Sequence, residues 1–190
     1  MSYETEETAY FNETGESNTD VTLRLAKERA EKLRIKTIVV ASTRGVTGVK
    51  AVEVFGEYNV VVVTHHTGSK GADSQELTPE NRKKILEGNG QILTVSHAFG
   101  GVGRAVRRKF NTYQIDEIIA ATLKVFGQGT KVCAEIVLMA ADAGLISTQE
   151  DVIAISGSSR GADTALVMRP ANAFSFFDLK VKEVICKPHL

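Results

Sequence analysis

The chain has 190 residues with 23 basic and 23 acidic side chains, so its zero net charge gives no general attraction for nucleic acid or an anionic membrane. Hydrophobic content of 43% and charged content of 24% suit a globular protein and argue against disorder. Apolar runs such as Val60–Val63 are far too short to cross a bilayer, and the acidic start Met1–Asp20 is unlike a targeting segment. A cytoplasmic protein is expected, with an arm over residues 1–19 and one domain over 20–190.

No Lys or Arg precedes Arg24, and the first ~18 residues lack periodicity, which suits an ordered arm or a frayed end. Asn18, Thr19 or Asp20 can cap a helix running to about Leu33, with Val21, Leu25 and Ala26 near one face. Thr37–Ala41 reads as a strand, Ser42–Gly45 as a loop, Val46–Phe55 as a helix and Asn59–Thr64 as a strand of nearly continuous valine. Such β-branched runs suit strands covered on both faces, as in a parallel sheet.

A polar loop, His65–Thr78, leads to a helix opened by Pro79 in its first turn. Gln91–Val95 is a third strand. The glycine-rich loop Ser96–Gly103 enters a basic helix carrying Arg104, Arg107, Arg108 and Lys109, whose charges form a solvated face that could pair with the acidic arm. Helices follow at Ile115–Phe126 and Lys131–Ala143, the second apolar nearly all round and so buried. Asp151–Ile155 and Ala165–Met168 are strands joined through Ser156–Asp163. Lys180–Cys186 closes the chain as a strand whose lysines suit a guarded edge that could also support self-association. Alternating strands and helices predict a three-layer α/β/α sandwich with a mostly parallel sheet.

In such sheets ligands collect outside the carboxyl ends of the strands, and four polar loops fall there: Ser42–Gly48, His65–Gly71, Ser96–Gly103 and Ser156–Asp163. Ser42, Thr43, Arg44, Gly45 and Thr47 join a strand to a helix start, where free amides and the helix dipole favour phosphate. Gly157, Arg160 and Gly161 offer a second anion contact, in a run continuing through Ala162, Asp163 and Thr164. His65, His66 and His97 share the rim, but no carboxylate or cysteine joins them at a metal-binding spacing, so no metal site is expected. Cys133 and Cys186 read as reduced core residues. Gly127–Lys131 lacks the P-loop order, and Glu135 could bond a ligand or pair with Lys131 one turn before it, the pair being the simpler reading. The low aromatic content and short basic run give no nucleic-acid surface.

The strand Thr37–Ala41, its loop Ser42–Thr47 and the return strand Asn59–Thr64 resemble the carboxy-terminal α/β domain of pyruvate kinase, as do Asp151–Ile155, Gly157 and Arg160–Thr164. In that family the two loops form, in many members, the site of an allosteric sugar phosphate. A fuller likeness involves Tyr10-Phe11, Asn18-Thr19, Thr64-His65-His66-Thr67-Gly68, Ser96-His97, Lys131–Glu135, Met139–Asp142 and Arg160–Thr164. These resemble a stand-alone, mainly archaeal group of that domain type, associated with flavin mononucleotide (FMN). The resemblance implies FMN as cofactor, with His66, Thr67, Gly68, Ser96 and His97 among its contacts. Pyruvate kinase activity is not expected, because the catalytic (β/α)8 barrel needs ~250 residues of its own. A flavin-dependent enzyme using His66 or His97, and a regulatory or interaction module, are the competing expectations.

Overall fold

The computed structural model describes residues 3–189. Its strands are β1 (Ala9–Phe11), β2 (Thr37–Ala41), β3 (Asn59–Val63), β4 (Gln91–Leu93), β5 (Val152–Ser156), β6 (Thr164–Arg169) and β7 (Lys180–Pro188). Its helices are α1 (Thr19–Leu33), α2 (Val46–Val54), α3 (Pro79–Glu87), α4 (Val102–Phe110), α5 (Ile115–Leu123) and α6 (Gln128–Asp142). Short 3-10 turns occupy Glu16–Asn18, Lys124–Phe126 and Ala173–Asp178. Among the described residues no helix is long and apolar enough to cross a membrane.

The strands form one sheet in the order β1-β7-β6-β5-β2-β3-β4. β2 pairs parallel with β3 and β5, β3 with β4, and β1 with β7, while β6 runs antiparallel to both β5 and β7. Period-2 alternation of strand side chains builds two cores from the same apolar runs. Ile38, Val40, Val60, Val62, Ile153 and Ile155 meet α1, α2 and α3 on one face. Val39, Val61, Val63, Val152 and Ala154 meet α5 and α6 on the other. Continuous valine is therefore required in β3, because neither face is left to solvent. The result is the expected three-layer sandwich with a mixed, mostly parallel sheet.

Several local expectations are corrected. β7 is not the outermost strand, because Ala9–Phe11 of the arm pairs with Cys186–Pro188. The lysine-bearing half of β7 lies beyond that short pairing. The arm is thus part of the sheet, and Glu6 binds Arg29 and Lys32 rather than the basic helix. Arg107 pairs instead with Glu117 of α5, Nε to Oε1 at 2.6 Å. On α1 the buried face is Thr19, Thr22, Leu23, Ala26 and Ala30, while Val21 points outward. α6 starts at Gln128, one turn early, and β4 ends at Leu93. α3 opens as expected, with Pro79 in its first turn and Thr78 Oγ1 accepting from Asn81 N at 3.2 Å.

Candidate functional site

From β2 the chain moves outward to β3 and β4, then returns through α4, α5 and α6 to place β5 on the opposite side of β2. The order of connection therefore reverses between β2 and β5, and the loops leaving their carboxyl ends diverge. Physical geometry opens a crevice at such a switch point. Here it is a cleft of about 640 Å³, bordered by the loops after β2, β3, β4 and β5 and by one face of α6.

The loop after β2 is held from both sides. Ser42 Oγ accepts the Gly48 amide at 3.0 Å, and Asn81 Nδ2 donates to Arg44 O at 2.8 Å. Gly45 sits at φ +93°, where a Cβ would lie 2.5 Å from Asn81 Cβ and 2.6 Å from Leu77 Cδ1, so only glycine closes the turn. With Gly48 N–H satisfied by Ser42, the amides of Val46 and Thr47 are the remaining donors of the first turn of α2. Thr43, Arg44 and Thr47 line the cleft beside them.

Opposite stands the loop after β5, with Gly157, Ser158, Arg160 and Gly161 on the cleft. Behind it, Ala162, Asp163 and Thr164 are buried. Asp163 accepts from Gly15 N at 2.9 Å, from Ser158 N at 3.1 Å and from Thr164 Oγ1 at 2.9 Å. Thr19 Oγ1 accepts from Ala162 N at 3.0 Å. These three residues, expected on the ligand side, instead knot the arm and the start of α1 to the β5–β6 connection.

His65, His66 and His97 do meet. The His97 ring centroid lies 5.3 Å from that of His65 and 5.2 Å from that of His66, both edge to face. His65 Nδ1 is 2.8 Å from Glu76 Oε2, and His97 Nδ1 is 3.9 Å from Glu135 Oε1. Burial lowers the His97 pKa below the usual imidazole range, and the Glu135 carboxylate opposes this without reversing it. Both rings of the His66–His97 pair border the cleft, whereas Gly45, Thr67, Gly68 and Ser96 belong to its loops without lining it. Among the described residues no group of three or more His, Cys, Asp or Glu side chains is arranged to hold a metal ion.

The floor of the cleft was missed by pattern reading. Gln128, Lys131, Val132, Glu135, Ile136 and Met139 recur every three or four residues and form a single α6 face. Lys131 and Glu135 are ion-paired with exposures of only 7% and 4%. Glu135 Oε1 also accepts the Phe99 amide at 3.0 Å, which ties the loop after β4 to α6. The available signal was a polar pair at helical spacing inside an otherwise apolar helix.

Although the chain is neutral, six cationic side chains line the cleft (Arg44, Lys50, Lys70, Arg104, Lys131, Arg160) against three carboxylates (Glu16, Glu76, Glu135). Lys50 pairs with Asp20 and Lys131 with Glu135. Among the described residues Arg44, Lys70, Arg104 and Arg160 make no ion pair. A low-dielectric crevice with a charge excess of one sign concentrates oppositely charged ligands.

The family described as pyruvate kinase, alpha/beta domain, matches residues 20–168. Solved structures of pyruvate kinase from Cryptosporidium parvum are similar at 12% identity (TM-score 0.38) and, for a complex with ADP, at 13% identity (TM-score 0.39). Each alignment covers 80% of this chain but only 23% and 24% of the respective kinase, so the chain spans about a quarter of their length. On the match over residues 20–168, the chain belongs to the pyruvate kinase α/β domain family.

Proposed function

We propose that the protein binds a phosphorylated small molecule in the cleft at the carboxyl ends of β2 and β5, and that FMN is that ligand. The observation that carries this reading is the excess of cationic side chains in a cleft of about 640 Å³ on an otherwise neutral chain. The volume lies within the roughly 300–1,000 Å³ of small-molecule sites. Thr43, Arg44, Thr47 and the first amides of α2 suit a phosphate, with Arg160 facing them from the loop after β5. The likeness of Thr64–Gly68, Ser96-His97 and Arg160–Thr164 to an FMN-associated group supports flavin. The imidazoles of His66 and His97 and the Val132–Ile136–Met139 face of α6 offer surfaces for a flat ring.

Titration followed by flavin fluorescence and calorimetry tests this. FMN should bind, and riboflavin, which lacks the phosphate, should bind more weakly. Arg44→Ala and Arg160→Ala should each weaken FMN by about tenfold, the loss of one charged hydrogen bond. No binding of FMN or a sugar phosphate at millimolar concentration ends the reading. Equal affinity for FMN and riboflavin removes the phosphate assignment.

A further inference from the structure

α4 is amphipathic by sequence, yet none of its nine residues is buried. Val102, Val106 and Phe110 recur at four-residue spacing and share a face, while Arg104, Arg107, Arg108 and Lys109 occupy the remainder. A helix of this pattern ordinarily spends its apolar stripe on a core. Here Val102 and Phe110 are exposed and Val106 is only half-buried. α4 is joined to α5 through Arg107 and Glu117, and α5 runs directly into the turn Lys124–Phe126.

Further exposed apolar side chains follow along α5 and the turn after it. Val102, Phe110, Ile115, Ile118, Val125 and Phe126 are between 56% and 81% exposed. Isolated exposed apolar side chains need no explanation, but six within 25 consecutive positions (102–126) are more than scattered exposure accounts for. At roughly 150–250 Å² for a whole aromatic side chain and less for an aliphatic one, they present on the order of 700 Å² of apolar surface. A standard interface removes roughly 800 Å² from each partner.

We propose that the α4–α5 unit, together with the Lys124–Phe126 turn, is the surface on which a second copy of this chain docks. The area matches what one face of a stable dimer needs, and a two-fold axis lets a single patch serve both copies. A bilayer fits less well: α4 offers only three apolar side chains on its stripe, and Asp116 and Glu117 lie in the adjoining helix. The lysine-bearing half of β7 is the competing self-association surface, and its lysines oppose strand addition there. Arg104 belongs both to the first turn of α4 and to the cleft wall, so docking would fix α4 beside the cleft. The proposal stands whether or not the cleft binds FMN.

Light scattering on a size-exclusion column, with the full chain at micromolar concentration, provides the test. The wild type should run as a dimer or larger, and the double variant Phe110→Asp/Ile118→Arg as a monomer with an unchanged circular-dichroism spectrum and melting curve. Both side chains are exposed in the single chain, so the fold should survive; if it does not, Ile115→Ser/Val125→Ser should give the same dissociation. Val181→Lys, on the open half of β7, should leave assembly intact. A monomeric wild type overturns the proposal, including one that instead floats with phosphatidylglycerol vesicles. Persistence of the assembly in the folded α4–α5 variants, or its dissociation by Val181→Lys, overturns it equally.

Discussion

Replacing Asp163 separates architecture from ligand binding more cleanly than any other single change. Its carboxylate is wholly buried and holds three donors: the amides of Gly15 and Ser158 and the hydroxyl of Thr164. An unpaired buried donor costs about 1–3 kcal/mol. In Asp163→Ala, Gly15 N–H and Thr164 O–H remain buried, while half-buried Ser158 recovers part of its loss from water. The sum is about 4 kcal/mol, a large share of a stability of roughly 5–15 kcal/mol. Asp163→Asn keeps the shape and one acceptor and should lose about half as much. Urea unfolding followed by circular dichroism reads the difference. Because Gly15 ties down the arm, cleavage at Glu13 or Glu16 by a glutamate-specific protease should accelerate in parallel. If Asp163→Ala unfolds within about 1 kcal/mol of wild type, below the cost of one stranded donor, the knot is not structural. Loss of FMN binding at unchanged stability would return Asp163 to the ligand side.

Glu135→Ala should destabilise by about 3–5 kcal/mol because it strands the buried Lys131 ammonium, whereas Lys131→Met/Glu135→Leu should recover most of that loss in urea denaturation. A double variant as unstable as the single would show that the pair, rather than its disruption, sets stability. His97 has a folded pKa below its unfolded value, so its contribution is complete above the unfolded pKa and is lost as pH falls towards the folded one. His97→Gln should therefore flatten the decline in stability below about pH 6.5, and an unchanged slope in denaturant titrations at several pH values rules this out. Burial pushes the Cys133 thiol up to about 12 and the Cys186 thiol up to about 11, so neither should react with a disulfide reagent until the protein unfolds. Rapid labelling of either thiol in the native state would contradict the packing of the core that holds it.

The elements that sequence pattern located well are those whose local signal and tertiary role coincide. β2 and β3 are β-branched at all but one position each because both their faces are covered, and Thr37–Ala41 emerges with the expected bounds. β1 was invisible because three residues, Ala9–Phe11, carry no measurable alternation and owe their structure to pairing with β7. Missing β1 is what made β7 look like the edge. α6 begins a turn before its sequence pattern predicts because Gly129 and Thr130, poor helix formers, are buried in its first turn, where packing outweighs propensity. At the cleft, residue type identified the loops but not the direction of each side chain. Asp163 sits among serines, glycines and Arg160, a composition that suits anion binding, and only the fold shows that it faces inward towards Gly15.

The charge arrangement gives the cleft a physical logic beyond its shape. Six cations against three lining carboxylates, with Asp20 paired to Lys50 from just outside, leave an excess of two positive charges around one crevice in a neutral chain, and their mutual repulsion opposes folding. The fold limits that cost by position. Lys131, the buried cation, has Glu135 one turn away, whereas Arg44, Lys70, Arg104 and Arg160 stand on the exposed rim where water and salt screen them. A phosphate monoester brings about two negative charges at neutral pH. Entering between the loops after β2 and β5, it would offset most of the excess while finding donors already fixed by Ser42, Gly45 and Asn81. Relief of that repulsion, added to direct hydrogen bonds, favours the bound state over the free one, so the same ligand that the cleft selects should also raise the stability of the sheet end that forms it.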